Sequence, residues 1–288
     1  MQHATPGIVL LILLFCGPVL YFINRALRGQ KIFVRRIPGI DAIDESVGRS
    51  VEMGRPISFT TGLSGVGPLL YACLGILRHV ARRAAVFNSR LLIPASDPEA
   101  LAMTDATLQN AYRAEKKFSN YDPNSVRYLS SEQFAFASGY MGLIHRENVG
   151  SAFLFGSFAA ESLILAEAGQ QVGALQVAGT TSPEQVPFFI TTCDYTLIGE
   201  EVYATGAYLS EDPVQVGSLR GQDLVKLLLV LLLLLGIAQA TYRSITTAPA
   251  NGSEAEEAPL PIQNWLEKSW DAVFTGQTEQ PAGQPQPE

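Results

Sequence analysis

The chain has 288 residues, of which 47% are hydrophobic and 16% are charged, and its formal net charge is −7 at pH 7. This composition allows one domain with a substantial buried core, and the acidic balance argues against nucleic-acid binding as the main activity. The three cysteines form no CxxC motif, and the three histidines are scattered. We therefore expect neither a disulfide framework nor a metal site built on His and Cys.

An uncharged apolar run, Ile8–Ile23, lies near the N-terminus, and no Lys or Arg precedes it. Basic residues follow it at Arg25, Arg28, Lys31, Arg35 and Arg36. A secretory signal peptide has the opposite arrangement, with positive charge before the apolar run and small residues at a cleavage site after it. The sequence therefore predicts an uncleaved transmembrane anchor over residues 1–24, with the N-terminus outside and the following chain in the cytoplasm.

Residues 25–83 are predicted to form a basic connector and a glycine-rich apolar helix. The stretch Pro56–Leu77 has no charged residue, so a further membrane span is an alternative there. We favour a buried helix, because glycines and hydroxyl residues make this stretch less apolar, and its Arg78–Arg83 end is expected to face anionic headgroups. The loop Thr61–Pro68 lacks both the P-loop ending and the full GxGxxG pattern, which favours close backbone packing over phosphate binding.

Residues 84–220 alternate short apolar runs with helix-length stretches, as in a parallel sheet with crossover helices. The predicted strands are Arg90–Pro94, Val126–Leu129, Ser151–Phe155, Ala174–Ala178 and Phe188–Thr192. Asp194 is predicted to cap a closing helix that runs to Leu209. The pattern predicts an α/β fold: a Rossmann-like three-layer domain with a mainly parallel sheet, flanked by N- and C-terminal transmembrane helices.

The second apolar run contains nine consecutive Leu and Val residues, Leu227–Leu235. With its flanks, residues 224–242, it is long enough to cross ~30 Å of hydrocarbon. Arg220 and Lys226 precede it, which agrees with a cytoplasmic domain and an exported tail. The tail, 243–288, is predicted to be disordered with a short amphipathic helix. The sequence thus predicts a multi-pass protein of the plasma membrane whose main domain, 84–220, is cytoplasmic.

Small and polar residues collect where the predicted strands end and the helices begin. Ligands of open parallel sheets bind beyond the carboxyl ends of the strands, and helix N-termini favour anions there. The candidate ligand-binding residues are Ser96, Asp97, Ser130, Gly156, Ser157, Glu161, Gly179, Thr180, Thr181 and Asp194. The alternative is that each one serves as a helix cap, since Ser, Thr and Asp are the residues that helix starts require. Neither explanation implies a particular cofactor.

No catalytic arrangement stands out. Ser157 follows Gly156 but lacks the GxSxG frame of a nucleophile elbow. Cys193 stands beside Asp194, where a helix N-terminus would activate the thiol, and His145 lies near a predicted helix end. Because no base is placed beside a nucleophile, the sequence favours a protein without enzymatic activity and assigns no catalytic or metal-binding residue.

Several segments carry a family resemblance. They are Arg36-Ile37-Pro38-Gly39-Ile40-Asp41-Ala42-Ile43-Asp44-Glu45-Ser46-Val47-Gly48-Arg49, Glu52-Met53-Gly54-Arg55-Pro56-Ile57, Glu161, Ala178-Gly179-Thr180, Cys193-Asp194-Tyr195 and Gly199-Glu200-Glu201. This pattern, over residues 30–225, resembles an uncharacterised family of prokaryotic membrane-anchored proteins, a domain of unknown function. The resemblance implies a cytoplasmic α/β domain tethered to the membrane, and it brings no established activity.

Three functions from different classes remain open, and the third is an enzyme, which would need polar groups with shifted pKa values that converge in a cleft. The leading expectation is a membrane-tethered scaffold or interaction module that self-associates or joins a membrane complex, with the lipid bilayer as its first partner and no nucleic acid. Small residues in the apolar segments favour such close contacts. The alternative is a domain that binds or senses a small anionic, nucleotide-like ligand at the carboxyl edge of the strands.

Overall fold

A computed structural model describes residues 6–29, 38–210 and 212–246. The predicted amphipathic helix of the tail lies outside the described residues, as does part of the basic connector. The chain divides into two compact units. The first, here the α/β unit, comprises the described residues within Tyr21–Gly221, and the second, the terminal unit, combines residues 6–20 with residues 222–246.

Helices and strands alternate through the α/β unit. The helices are α1 (Pro6–Leu27), α2 (Pro38–Met53), α3 (Pro68–Phe87), α4 (Pro98–Ala114), α5 (Gln133–Glu147), α6 (Ser162–Gln171), α7 (Val186–Thr192), α8 (Glu200–Ser210) and α9 (Pro213–Thr246). The strands are β1 (Ile57–Gly62), β2 (Leu91–Ala95), β3 (Val126–Tyr128), β4 (Ser151–Ser157), β5 (Leu175–Thr180) and β6 (Tyr195–Ile198).

All of these strands are parallel and form one sheet in the order β3-β2-β1-β4-β5-β6. The chain reverses its direction of travel across the sheet between β1 and β4, as in the doubly wound dinucleotide-binding fold. The predicted α/β class, with a parallel sheet and helices on both sides, is therefore confirmed.

The two faces of the sheet are separate because side chains alternate along each strand. Phe59, Phe153 and Phe155 point into one core, which α2, α3, α4 and α8 cover. Leu154 and Ala178 point into the other core, which α5, α6 and α7 cover. Near-continuous apolar strands such as β4 follow from this burial on both faces.

The second half of the uncharged stretch, before Arg78, begins helix α3, and eleven residues of this helix are buried within the α/β unit. This agrees with the expected buried helix. The strand that precedes it, β1, pairs with both β2 and β4 and so lies at the centre of the sheet. The sheet therefore includes residues that the sequence analysis placed in the connector 25–83.

The structure corrects the end of the predicted sheet. Residues 188–192 belong to helix α7 and not to a strand, and the last strand is β6, so Asp194 precedes a strand instead of capping a helix. Pro187 stands at the first turn of α7, where a missing N–H has no cost. The hydroxyl of Thr192 donates to the carbonyl oxygen of Phe188, which satisfies a polar group within the helix.

In the described part of the chain, α9 is the one helix whose length and composition suit a membrane crossing, over Pro213–Tyr242. None of its most apolar window is buried by the rest of the protein. In α1, the apolar stretch over Ile12–Leu27 is shorter than a span. The C-terminal span is thus supported by length and composition, and the N-terminal span stays a prediction.

Candidate functional site

The order reversal between β1 and β4 makes their carboxyl ends the first place to look for a ligand. Pairing between these strands continues to Gly62 and Ser157. Beyond it, the N–H of Leu63 donates to the carbonyl oxygen of Ser157 at 2.8 Å. The N–H of Ser157 in turn donates to the side-chain oxygen of Ser64 at 2.7 Å. The β1–α3 loop is therefore fastened across the end of β4 and fills the space between the two strands.

Two glycines allow this close approach. Gly62 has a φ of +61°, and a Cβ there would meet the Ser157 carbonyl and the ring of Phe158. Gly156 has a φ of +153°, and its Cβ would meet the carbonyl oxygen of Thr61. Both positions combine a backbone conformation that favours glycine with a lack of space. Gly62 is thus placed by packing, as the sequence analysis expected for the glycine-rich loop, and the same holds for Gly156, which was predicted as a ligand-binding residue.

The candidate Ser96, which directly follows β2, contacts the neighbouring strand β1. Ser96 is buried, and its hydroxyl donates to the carbonyl oxygen of Gly62 at 2.6 Å. Thr60 makes the reverse connection, because its hydroxyl donates to the carbonyl oxygen of Pro94 at 3.0 Å. These two bonds join the ends of β1 and β2, so the hydroxyl of Ser96 donates to the fold itself.

Three more candidates support turns and helix starts. The carboxylate of Asp97 accepts from the N–H of Ala100 at 3.1 Å and caps α4. Ser130 accepts from the N–H of Glu132, and Thr180 accepts from the N–H of Ser182. The capping interpretation therefore describes Asp97, whereas Ser130 and Thr180 support turns, because the N-caps of α5 and α7 are Glu132 and Gln185.

Glu161 is fully buried, with no exposed surface. One carboxylate oxygen accepts from the N–H of Ala159 at 2.9 Å, and the other accepts from the side-chain amide of Gln133 at 2.6 Å. The carboxylate therefore joins the β4–α6 loop to the start of α5. Gly179 is likewise a packing position, since a Cβ there would meet the ring of Phe155.

A smaller set remains open at the rim of this edge. The side chain of Ser157 is exposed, and Thr181 is half-buried. Gly65 and Gly67 have open space where a Cβ would stand, and no side chain caps the N-terminus of α3 at Gly67. Free N–H groups at a helix start can hold a phosphate or carboxylate. The sequence analysis predicted close backbone packing for the whole loop Thr61–Pro68. The structure shows such packing at Gly62 and open space at Gly65 and Gly67.

Asp194 lies apart from the other candidates, at the amino-terminal edge of the sheet. Its carboxylate accepts from the N–H of Gln176 at 2.7 Å. It lines a cavity of about 240 Å³ together with Arg49 and Gln170. The sequence analysis expected a strand to end before Asp194. Because residues 186–192 form helix α7 instead, Asp194 lies at the start of the next strand, β6.

The one candidate nucleophile of the sequence is not activated. Cys193 is the C-cap of α7, and burial raises the pKa of its thiol to about 12. His145 is exposed at the end of α5, in the last turn. Within the described residues, His, Cys, Asp and Glu side chains form no group of three suited to a metal ion.

Sequence reasoning missed Thr60 and Ser64, which hold the junction from inside the glycine-rich segment. In the sequence, the only signal from Thr60 and Ser64 is that, as small hydroxyl residues, they lower the hydropathy of this stretch. Their roles depend on strands far apart in the sequence, since Ser64 meets the end of β4 and Thr60 meets β2.

Comparison with known protein families identifies a match. A family model described as Domain of unknown function (DUF6754) covers residues 2–250. The chain belongs to this family. The resemblance to a domain of unknown function is thereby confirmed, while the prokaryotic origin and membrane anchoring that it implied stay predictions. Comparisons with curated proteins and with solved structures gave no match.

Because Glu161 holds two partners inside the protein, its removal tests whether it serves the fold. We predict that Glu161→Ala lowers the free energy of unfolding by about 1–3 kcal/mol, since the N–H of Ala159 and the amide of Gln133 lose their acceptor. Glu167→Ala, an exposed position on the same helix, should change it by less than about 0.5 kcal/mol. Urea denaturation of both variants measures the difference. A Glu161→Ala protein as stable as the control would mean that the carboxylate serves a ligand.

Proposed function

We propose that this DUF6754 chain is a membrane-tethered α/β interaction module that self-associates or joins a membrane complex. It is held in the plasma membrane by helices at both ends, and its α/β unit faces the cytoplasm. The observation that carries the proposal is the unburied apolar surface of α9. The alternative, binding of an anionic ligand at the carboxyl edge of the sheet, has weaker support, because most polar groups there form hydrogen bonds within the protein.

The apolar surface of α9 requires a nonpolar environment. The side chains of Leu227, Leu233 and Leu234 are 65%, 61% and 59% exposed. Burial of one leucine side chain is worth about 1.5–3 kcal/mol, so the run as a whole corresponds to on the order of 10 kcal/mol of transfer free energy. A bilayer provides this burial along the full circumference of a helix.

The contact between α1 and α9 supports a second anchor. A Cβ at Gly217 would stand 2.7 Å from the Cα atom of Ile23, so the backbones of these helices pass closely within the α/β unit. Small residues at such crossings are typical of membrane helix pairs. The remaining described parts of both helices, 6–20 and 222–246, belong together to the terminal unit. Arg25 and Arg28 follow the uncharged run Ile8–Ile23, which favours a cytoplasmic α/β unit.

An apolar stripe on α5 supports self-association. Phe134 and Met141 are 63% and 37% exposed, and their spacing of seven residues places them on one side of the helix. Leu163, on the neighbouring helix α6, is also exposed. Exposed apolar groups that share a surface favour protein contacts.

We expect the chain to remain in membranes after alkaline extraction, and a phosphatase reporter fused after residue 246 to be active because it is exported. Leu229→Arg with Leu232→Arg should leave the reporter inactive in the cytoplasm, since each arginine costs about 2.5–3.5 kcal/mol at the centre of a span. Ala102→Arg with Val214→Arg, two exposed positions outside the apolar run, should keep it active. Release of the wild-type chain by alkali would contradict the proposal.

Self-association predicts a multimer in mild detergent, measured by light scattering at working concentrations. Phe134→Glu with Met141→Glu should shift the protein toward the monomer, because charges replace the apolar stripe. Ala102→Glu, an exposed position on α4, should leave the multimer intact. A wild-type monomer would remove this part of the proposal.

A second candidate function is the binding of a small anionic, nucleotide-like ligand at the carboxyl edge. The observation that favours it is the open space at Gly65 and Gly67 before the uncapped start of α3, beside the order reversal of the sheet. Such a ligand would place its phosphate on the free N–H groups of α3.

This candidate predicts that one or more ligands in a panel of nucleotides and acidic metabolites raise the Tm of the protein. Gly67→Val should fold normally, because nothing lies where its Cβ stands, but it should block the approach of phosphate and abolish the shift. Gly48→Ala, at an open position of α2, serves as the control. Flat responses across the panel would discard the candidate.

A further inference from the structure

A cavity of about 730 Å³ lies in the α/β unit between α3, α4 and the segment that joins α8 to α9. Its wall includes Tyr71, Leu74, Arg78, Met103, Asp212 and Gln215. The volume is within the usual range for sites that bind small molecules. We call it the α3–α9 cavity.

Arg78 differs from the other arginines near it in sequence. Arg82 contacts Glu115 at 2.6 Å, Arg83 contacts Asp44 at 3.3 Å, and Arg90 contacts Glu147 at 2.8 Å. Arg78 has no hydrogen bond or ion pair with any described residue, and it lines the cavity. A guanidinium group is suited to a phosphate because it offers a planar fork of donors. The cavity therefore presents one available cationic group.

The rest of the wall suits an apolar group. Leu74 and Met103 contribute apolar side chains, and the exposed ring of Tyr71 stands at the same cavity. The hydroxyl of Thr107 donates to the carbonyl oxygen of Met103, so it is already satisfied. Asp212 accepts from the N–H of Val214 at the start of α9. A ligand with one anionic group and an apolar body matches these surroundings.

The position of the cavity in the chain favours a lipid as the source of that ligand. Pro213 and Gln215 line the cavity, and they begin the same helix that carries the apolar run Leu227–Leu235. A phospholipid combines a phosphate with apolar chains. We propose that the α3–α9 cavity binds the phosphate group of an anionic phospholipid through Arg78. This inference rests on the proposed membrane location, and its test does not require insertion into a bilayer.

The test measures binding of phosphatidylglycerol to the full chain in micelles of a non-ionic, phosphate-free detergent, by native mass spectrometry. Arg78→Gln should weaken binding about tenfold, the ordinary effect of a lost hydrogen bond to a charged group. Arg82→Gln, on the same helix and with the same change of charge, should bind within about twofold of wild type, because a surface ion pair is worth little. Diacylglycerol, which lacks the phosphate, should bind no better to wild type than to Arg78→Gln.

Two results would overturn the inference. One is equal lipid affinity in wild type, Arg78→Gln and Arg82→Gln. The other is that glycerol phosphate saturates the protein at the same concentration as the lipid does. This result would mean that the cavity binds a free phosphate ester. The Tm of each unliganded variant reports folding, and Arg78→Lys, which keeps the charge, should retain part of the affinity. Because the lipid is supplied in micelles, failure here leaves the extraction and reporter results unchanged.

Discussion

The pairing of β1 with β4 is the interaction on which the rest of the structure depends. It joins two halves of the sheet, β1–β3 and β4–β6, whose strands are far apart in the sequence. Side chains also hold both ends of β4, from helix α2 at the amino end and from the β1–α3 loop at the carboxyl end. At the amino end, the hydroxyl of Ser50 donates to the hydroxyl of Ser151, which donates to the carbonyl oxygen of Ser46. At the carboxyl end, Ser64 accepts from the N–H of Ser157. The pairing of β1 with β4 therefore positions both cores and the carboxyl edge of the sheet.

The same junction limits what the sheet edge can do. In many doubly wound domains the space between the two central strands holds a phosphate. Here the loop after β1 occupies it, and Ser96 and Thr60 spend their hydroxyl groups on the backbone of the neighbouring strand. A buried hydroxyl that bonds to backbone stabilises the fold and is costly to redirect to a ligand. The outer rim, at Gly65 and Gly67, is where binding remains feasible.

The fold class could be predicted because burial on both faces gives strands such as β4 a continuous apolar sequence. β1 was harder to identify, since Ser58 and Thr60 interrupt its apolar pattern while lying buried in the sheet. Helix α7 resembled a strand because a short apolar run carries no periodicity that separates the two states. The partners of the arginines could not be predicted either, because Arg83 and Arg90 meet carboxylates that only the tertiary fold brings near. Nor could the sequence predict that Arg78 has no such partner among the residues that the structure describes.

The ion pairs also reduce the electrostatic attraction expected between α3 and the proposed membrane. The sequence suggested that the basic end of α3 is drawn to anionic headgroups, which is worth about 1 kcal/mol for each free arginine near the surface. Arg82 and Arg83 are already paired with carboxylates, so their net attraction is reduced. The apolar run of α9 corresponds to on the order of 10 kcal/mol, so hydrophobic burial would dominate the proposed attachment. Charge can then contribute specificity for a headgroup, and Arg78 is the residue in this group that is available for it.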